Sequence, residues 1–232
     1  MLGAQLLMCT GGTGEIVTNG LQYWYDLSNA SSYPGSGSSV FDLSGNNRTA
    51  SMINSPTFNT GSGGYLTFNG TSQYLQTSGN TGFFATSAFS VGIWLQVGAF
   101  NKTLASGAVS NSAYTLFGAT SSYQGYTNTF SAVIQKAAAG NSIGTVTQSG
   151  YSVNTWYYYQ VVYDGTQSTN AGKLGIYVNG TKKTLVYDGT VSSAPYNNAT
   201  ALQVGSATTV NNSYYGYFNG NIAHVTAYNR AL

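Results

Sequence analysis

Hydrophobic and polar residues alternate with a period of two along much of this chain. The alternation is clearest in the range 154–180, where two predicted strands carry apolar residues on one face: Tyr157, Tyr159, Val161 and Tyr163 in the first, and Leu174, Ile176 and Val178 in the second. This period is typical of strands with one face on a core and the other on water. Asp164-Gly165 and Asn179-Gly180 are predicted to supply the positive-φ positions that tight turns need. The segment therefore predicts antiparallel β structure.

Short β-prone runs separated by turn residues fill the rest of the chain. The runs cover 21–27, 65–68, 74–77, 89–97, 113–117, 130–135, 155–163, 174–178, 201–204 and 220–228. No window has a helical stripe longer than one or two turns, and strands do not alternate with helices, which excludes a βαβ fold. We predict a single all-β domain, either a two-sheet sandwich or a barrel.

The surface is predicted to be almost uncharged. Charged residues make up 5% of the chain, against roughly 25% in an ordinary soluble domain. Ser, Thr, Asn, Gln and Tyr must therefore cover the surface. Exposed sheet edges are usually protected by Lys or Pro, of which this chain has few, so we expect fixed neighbours in an assembly to cover its edges.

Charge and cysteine content exclude several classes of partner. The net charge of +2 comes from seven scattered basic residues, whereas binding to a phosphate backbone requires clustered Lys and Arg. Cys9 is the single cysteine, so no intramolecular disulfide or cysteine metal cluster is expected. No apolar run approaches the roughly 20 residues that span a bilayer. We expect neither nucleic acid nor membrane as a partner.

Several segments in order resemble the laminin-G-like, concanavalin-A-like jelly-roll family. They are the opening strand with its SYPGSG loop and DLSG turn (20–47), a hairpin (63–77), two central strand regions with one tryptophan each (89–97 and 154–180) and a closing strand (217–232). The resemblance implies a two-sheet antiparallel β-sandwich whose first and last strands lie close together. Copies with this opening are found in tailed-phage virion proteins and in bacterial surface proteins.

Three positions depart from the family pattern. Asn69 and Gln73 stand where relatives often carry Asp in the second hairpin, and His224 stands where the closing strand often has an acidic residue. These differences argue against an acid-dependent metal site or catalytic role.

The acidic residues do not form a recognisable catalytic pair. Glycoside hydrolysis needs two carboxyl groups facing each other across a cleft, but the five acids are scattered: Glu15, Asp26, Asp42, Asp164 and Asp188. Asp164 and Asp188 lie in turn dipeptides. Asp26 and Asp42 meet at most across the opening hairpin, where a structural cap or turn is the favoured interpretation. We predict no catalytic residues.

Neither the histidine nor the acids predict a metal or a triad. His224 is the only histidine, and its neighbours in the closing strand supply no acid, so we predict a structural, hydrogen-bonded histidine. Calcium needs six to eight oxygen ligands, usually with several carboxylates. Asp42 and Asp164 are the least unfavourable candidates, and we expect no metal and no cofactor.

Two tyrosine pairs in predicted loops are the candidate ligand-binding residues: Tyr123 with Tyr126, and Tyr214 with Tyr215. They lie among Asn, Ser and Gly, and flat aromatic faces suit the apolar face of a pyranose. Tyrosine also suits a half-exposed pleated surface and protein interfaces, so these two alternatives stay open.

Two functional hypotheses follow. The first is a non-enzymatic structural or decoration protein displayed on a phage virion, on capsid or tail, with glycan binding or adhesion as an additional role. In it, an N-terminal arm (1–18) docks on other virion proteins or on copies of the same chain, and the jelly roll (19–232) is displayed. The alternative is a carbohydrate-binding, lectin-like adhesin of a bacterial or viral surface. A glycan-processing enzyme is the least supported reading because paired acids are missing.

Overall fold

The structure, a computed structural model, describes residues 16–78, 82–110, 113–123, 125–134, 144–148, 150–195, 202–207 and 216–232. These residues form the strands β1 (Leu21–Asp26), β2 (Ser39–Val40), β3 (Ala50–Ile53), β4 (Thr57–Asn59), β5 (Tyr65–Asn69), β6 (Tyr74–Thr77), β7 (Ala88–Val97), β8 (Lys102–Ser110), β9 (Ala113–Tyr123), β10 (Tyr126–Ile134), β11 (Gly144–Thr147), β12 (Trp156–Asp164), β13 (Leu174–Val178), β14 (Thr181–Lys182), β15 (Leu185–Tyr187), β16 (Gln203–Val204) and β17 (Asn219–Tyr228). The helical segments described are α1 (Asn170–Lys173) and two 3₁₀ turns, Gly61–Gly63 and Phe83–Ala85.

The strands form two antiparallel sheets. Sheet I has the order β14-β13-β12-β7-β17-β5-β4, with β1 also paired to β17, and sheet II has the order β15-β11-β10-β9-β8-β16-β6-β3-β2. Every pairing between these strands is antiparallel. The prediction of an all-β, two-sheet antiparallel sandwich is confirmed. First and last strands are neighbours, as the family resemblance implied.

The space between the sheets is filled by aliphatic and aromatic side chains. Phe89 of β7 stacks on Tyr163 of β12 at 5.0 Å between ring centroids and meets Phe84 edge-on at 5.2 Å. Phe84 also contacts Phe117 of sheet II at 5.9 Å. Such pairs stabilise beyond the area that they bury. The alternating apolar residues predicted for β7, β12 and β13 form the sheet I half of this core.

The closing strand β17 lies inside sheet I. It pairs with β7 along one edge and with both β5 and β1 along the other. A β-bulge between Ile222 and His224 interrupts its register with β7. Ile222 and Val225 both belong to the core, although they lie an odd number of residues apart. The bulge therefore lets Asn221 and His224 both face outwards, which regular alternation would forbid.

Predicted and observed strands agree best where large apolar residues alternate. The runs 74–77 and 174–178 match β6 and β13 residue for residue, whereas β8 was not predicted. Its sequence, KTLASGAVS, has mostly small side chains and gives little pattern. Gly107 of β8 faces the ring of Phe84, which occupies the space that a Cβ would need. Close packing therefore requires glycine at this position of the strand.

One predicted turn is formed for a different reason. Asn179 and Gly180 have φ of 51° and 76°, as expected for the tight turn between β13 and β14. Gly165, however, is not among the positive-φ glycines, so that part of the prediction is wrong. A Cβ at Gly165 would overlap the carbonyl oxygen of Ser193. Space, and not backbone conformation, requires glycine at this position.

The N-terminal arm falls mostly outside the described residues, and its docking on a partner stays a prediction. Ile16 and Val17, where the description begins, pack against Leu21, Tyr158 and Tyr228 on the outer face of sheet I. In the described parts of the chain, no helix has the length and apolarity needed to cross a membrane.

The two glycines give a test of these different requirements. We expect Gly180→Asn to change the free energy of unfolding by less than about 1 kcal/mol, because Asn tolerates the left-handed conformation and nothing lies within 4 Å of a Cβ there. We expect Gly165→Asn to cost about 1–3 kcal/mol through overpacking. Urea unfolding of both variants measures the difference. Equal effects would contradict the steric explanation.

Candidate functional site

The outer face of sheet I carries a set of aromatic side chains that we call the aromatic row: Tyr65, Trp94 and Trp156. Each lies opposite the core-facing residues of its strand and is half-buried. The rings of Trp94 and Trp156 are stacked, with centroids 6.3 Å apart and planes at 10°. Tyr65 meets Trp156 edge-on at 5.6 Å. The more deeply buried Tyr158 supports Trp94 from the side at 6.2 Å.

A line of neutral polar side chains, which we call the polar row, runs beside the aromatic row. It is a chain of hydrogen bonds through Asn59, Thr67, Asn221 and Gln96. Asn59 Nδ2 donates to Thr67 Oγ1 (3.0 Å), Thr67 Oγ1 donates to Asn221 Oδ1 (2.6 Å), and Asn221 Nδ2 donates to Gln96 Oε1 (2.7 Å). The chain ends where Gln96 Nε2 donates to the carbonyl of Asn154 (2.8 Å).

Strand register holds the two rows side by side. Thr67 is the cross-strand partner of Asn221, and Asn221 is that of Gln96. Trp94 and Gln96 are two residues apart in β7, as are Tyr65 and Thr67 in β5, which corresponds to about 7 Å along a strand. An apolar strip therefore adjoins a strip of hydroxyl and amide groups. This arrangement can bind a ligand with an apolar face and a hydroxyl-bearing edge.

His224 is held by an aromatic neighbour and faces an acid. Trp24 Nε1 donates to His224 Nε2 at 2.9 Å, so the ring is neutral with its proton on Nδ1. Asp26 lies directly across from His224, in β1 and not in the closing strand that the prediction considered. Burial lowers the pKa of His224 to about 4, and the charge of Asp26 opposes this shift. Because Nε2 accepts the Trp24 N–H, His224 is hydrogen-bonded as predicted, and its structural role stays a prediction.

The carboxylates of the described residues organise loops. Asp42 accepts hydrogen bonds from the backbone N–H groups of Trp24, Ser44 and Arg48, and thereby fixes the DLSG turn. Asp164 accepts from Thr166 and Gln167, and these hydrogen bonds hold its pKa below the usual value.

Asp26 accepts from Ser28, and Asp188 from Tyr123. Each carboxylate of the described residues is thus used in a local contact. Over the same residues, no group of three or more His, Cys, Asp or Glu side chains is arranged to hold a metal ion.

The predicted tyrosine site is only half described. Tyr123 and Tyr126 face each other across the β9–β10 hairpin of sheet II. The Tyr123 hydroxyl donates to Asp188 Oδ2 at 2.6 Å. Tyr214 and Tyr215 lie outside the described residues, so ligand binding by the two tyrosine pairs stays a prediction.

Sequence reasoning noted Trp94 and Trp156 only as features of central strands. A signal was present, because each tryptophan lies on the face of its strand opposite to the alternating aliphatic or tyrosine residues. A tryptophan on the predicted water-facing side of a strand is an exposed apolar group, which favours contact with a ligand or a partner. The polar row had no such signal, since it depends on the pairing of β5, β17 and β7.

The fold and its outer face define a lectin-like β-sandwich. The family model described as the Concanavalin A-like lectin/glucanases superfamily matches residues 69–232. The chain belongs to this superfamily. The opening motif at 20–47 lies before the matched range but is joined to it through the β1–β17 pairing. A search of curated proteins finds no match.

Solved structures with the same fold include carbohydrate-related domains. Domain 4 of AbnA, an extracellular GH43 arabinanase from Geobacillus stearothermophilus solved with arabinotriose, has a TM-score of 0.65 at 16% identity, over 91% of this chain and 93% of that one. The binding domain of botulinum neurotoxin DC in complex with SialylT has 0.62 at 12% identity, over 93% of this chain and 49% of that one. A Trypanosoma rangeli sialidase has 0.57 at 14%, over 92% and 31%.

Acid should destabilise the protein through His224. We expect the free energy of unfolding to fall as pH decreases from about 6.5 towards 4, because His224 takes up a proton in the unfolded chain but not in the folded one. A pKa depressed from 6.5 to about 4 corresponds to at most about 3–4 kcal/mol. The measurement is urea unfolding at pH 7 and pH 4.5.

The matched control for this experiment is His224→Gln, which keeps an acceptor for the Trp24 indole. Both proteins contain the same carboxylates, so the difference between their pH profiles isolates the histidine. Identical profiles would show that His224 is not responsible.

Proposed function

We propose that this protein is a non-enzymatic, glycan-binding module that is displayed on the surface of a phage virion, on capsid or tail. The observation that carries the glycan-binding part is the aromatic row beside the polar row on sheet I. The C–H groups on the face of a pyranose ring are apolar and pack on the negative face of an aromatic ring. Its hydroxyl groups lie at the edge, where amides and hydroxyls can pair with them.

The fold relatives support this proposal in a general way. The arabinanase domain was solved with arabinotriose and the neurotoxin binding domain with SialylT. At 12–16% identity these likenesses concern the fold, so the position of a glycan on this chain has to come from its own residues. The non-enzymatic part is supported by the use of Asp26, Asp42, Asp164 and Asp188 as acceptors of hydrogen bonds.

The virion location is supported by the low charge and by the sequence opening. A chain with 5% charged residues has few charges that repel neighbouring molecules, which is compatible with fixed neighbours. Ile16 and Val17 pack on sheet I, so the arm before them starts from a defined point on the domain. A lectin-like adhesin on a bacterial or other viral surface is the alternative, and it uses the same glycan-binding face.

Substitution of the central tryptophan tests glycan binding. We expect Trp156→Ala to weaken binding of a glycan selected on an array by about tenfold or more, because tryptophans at the centre of a binding face carry much of its energy. Titration calorimetry measures the affinity, and circular dichroism verifies that the variant is folded.

Tyr126→Ala is the comparison variant, because it removes an aromatic ring from the tyrosine site on sheet II. We expect it to leave the affinity unchanged within about twofold. Loss of binding in Tyr126→Ala alone would move the site to the β9–β10 hairpin, and a wild-type chain that binds no glycan would refute the proposed activity.

Removal of residues 1–15 tests the arm. The chain that begins at Ile16 keeps the Ile16 and Val17 contacts with sheet I, so its stability should change by less than about 0.5 kcal/mol. We expect the full chain to sediment as an oligomer or with purified particles and the shortened chain to sediment alone. Co-sedimentation of both chains would contradict a docking role for the arm.

A further inference from the structure

The polar row has a direction. From Asn59 to Gln96, each side chain donates a hydrogen bond to the next one. At the end of the row, Gln96 Nε2 donates to the backbone carbonyl oxygen of Asn154. Hydrogen bonds arranged head to tail polarise one another. The amide orientations of Asn221 and Gln96 are therefore fixed by their neighbours before any ligand arrives, which reduces the ordering cost of binding.

The two amide side chains at the end of this row can each still donate and accept a hydrogen bond with a ligand. An amide has two N–H donors and an oxygen with two lone pairs. Asn221 and Gln96 each use one donor and one lone pair within the row, so each retains one donor and one acceptor position. A hydroxyl group is both donor and acceptor, and therefore pairs with such an amide. A carboxylate or ammonium group uses only one of the two positions.

Both rows consist of neutral side chains. The aromatic row and the polar row contain no Asp, Glu, Lys or Arg. On the same face, His224 is neutral and holds the Trp24 indole, Asp26 binds Ser28, and Lys182 lies near Tyr177 at the far edge of sheet I. A charged ligand group placed over the tryptophans would lose water without gaining a counter-charge, which is costly.

The polar row runs across the strands and is longer than one sugar ring. It passes from β4 to β7, which is three inter-strand spacings, or about 14 Å. The aromatic side chains converge beside it, because the ring centroids of Tyr65 and Trp94 lie 5.6 Å and 6.3 Å from that of Trp156. A ligand that follows the polar row along its length must be extended and must lie perpendicular to the strands.

We infer that this face selects uncharged, extended oligosaccharides that lie across the strands, with a ring face on Trp156 and a hydroxyl edge on Asn221 and Gln96. The inference rests on the proposed glycan-binding function and narrows it to a ligand class. Gln96 sets this preference, because it lies at the junction of the two rows.

The test compares Gln96→Glu with Gln160→Glu. Gln160 is a half-buried glutamine on the same face of sheet I, in β12 opposite Gly92 and Tyr177, and it belongs to neither row. The probes are neutral oligosaccharides of one to six units and oligosaccharides of equal length that contain uronic or sialic acid. Affinities are measured by calorimetry at 20 and 500 mM NaCl, a range over which screening of charges changes strongly.

We expect neutral oligosaccharides to bind more tightly than charged ones, with affinity that rises from one to about three units and changes less than twofold with salt. Gln96→Glu should weaken this binding by about tenfold, and Gln160→Glu by less than about twofold. Preferential, salt-sensitive binding of charged glycans would overturn the inference and leave the proposed function intact, as would equal effects of the two substitutions. Absence of binding to every glycan would instead refute the proposed function itself.

Discussion

The structure depends on the insertion of the last strand into the middle of sheet I. β17 pairs with β7 on one side and with both β5 and β1 on the other, so it joins the opening of the chain to its centre. The β1–β17 pairing connects residues about 200 positions apart, for example Asp26 with His224. Such contacts cost much chain entropy before they stabilise anything. Sheet I is therefore complete only when the whole chain has been brought together.

The same strand assembles the candidate site. The bulge after Ile222 turns Asn221 and His224 to the outer face while Ile222 and Val225 remain in the core. Asn221 then links Thr67 of β5 to Gln96 of β7. A one-residue change of register would move these side chains to the other face. The register of β17 consequently determines both the closure of the fold and the geometry of the polar row.

The nearly uncharged surface and the neutral candidate site on sheet I rely on the same kinds of side chain. Amides, hydroxyls and aromatic rings give directional hydrogen bonds and apolar area without long-range fields. The described carboxylates accept hydrogen bonds from neighbouring groups, as Asp42 does in the DLSG segment. This distribution suits recognition of polyhydroxylated surfaces and tolerates close neighbours, because neither depends on attraction between opposite charges.

The sequence by itself determined the fold class and the position of β6, β7, β12, β13 and β17, because alternation and turn residues act between near neighbours. It did not determine β8, in which Phe84 leaves space only for glycine at position 107. It also left Trp94 and Trp156 as strand residues. Only the tertiary structure decided that they stack and that a polar row lies beside them, since pairing between distant strands sets which side chains become neighbours.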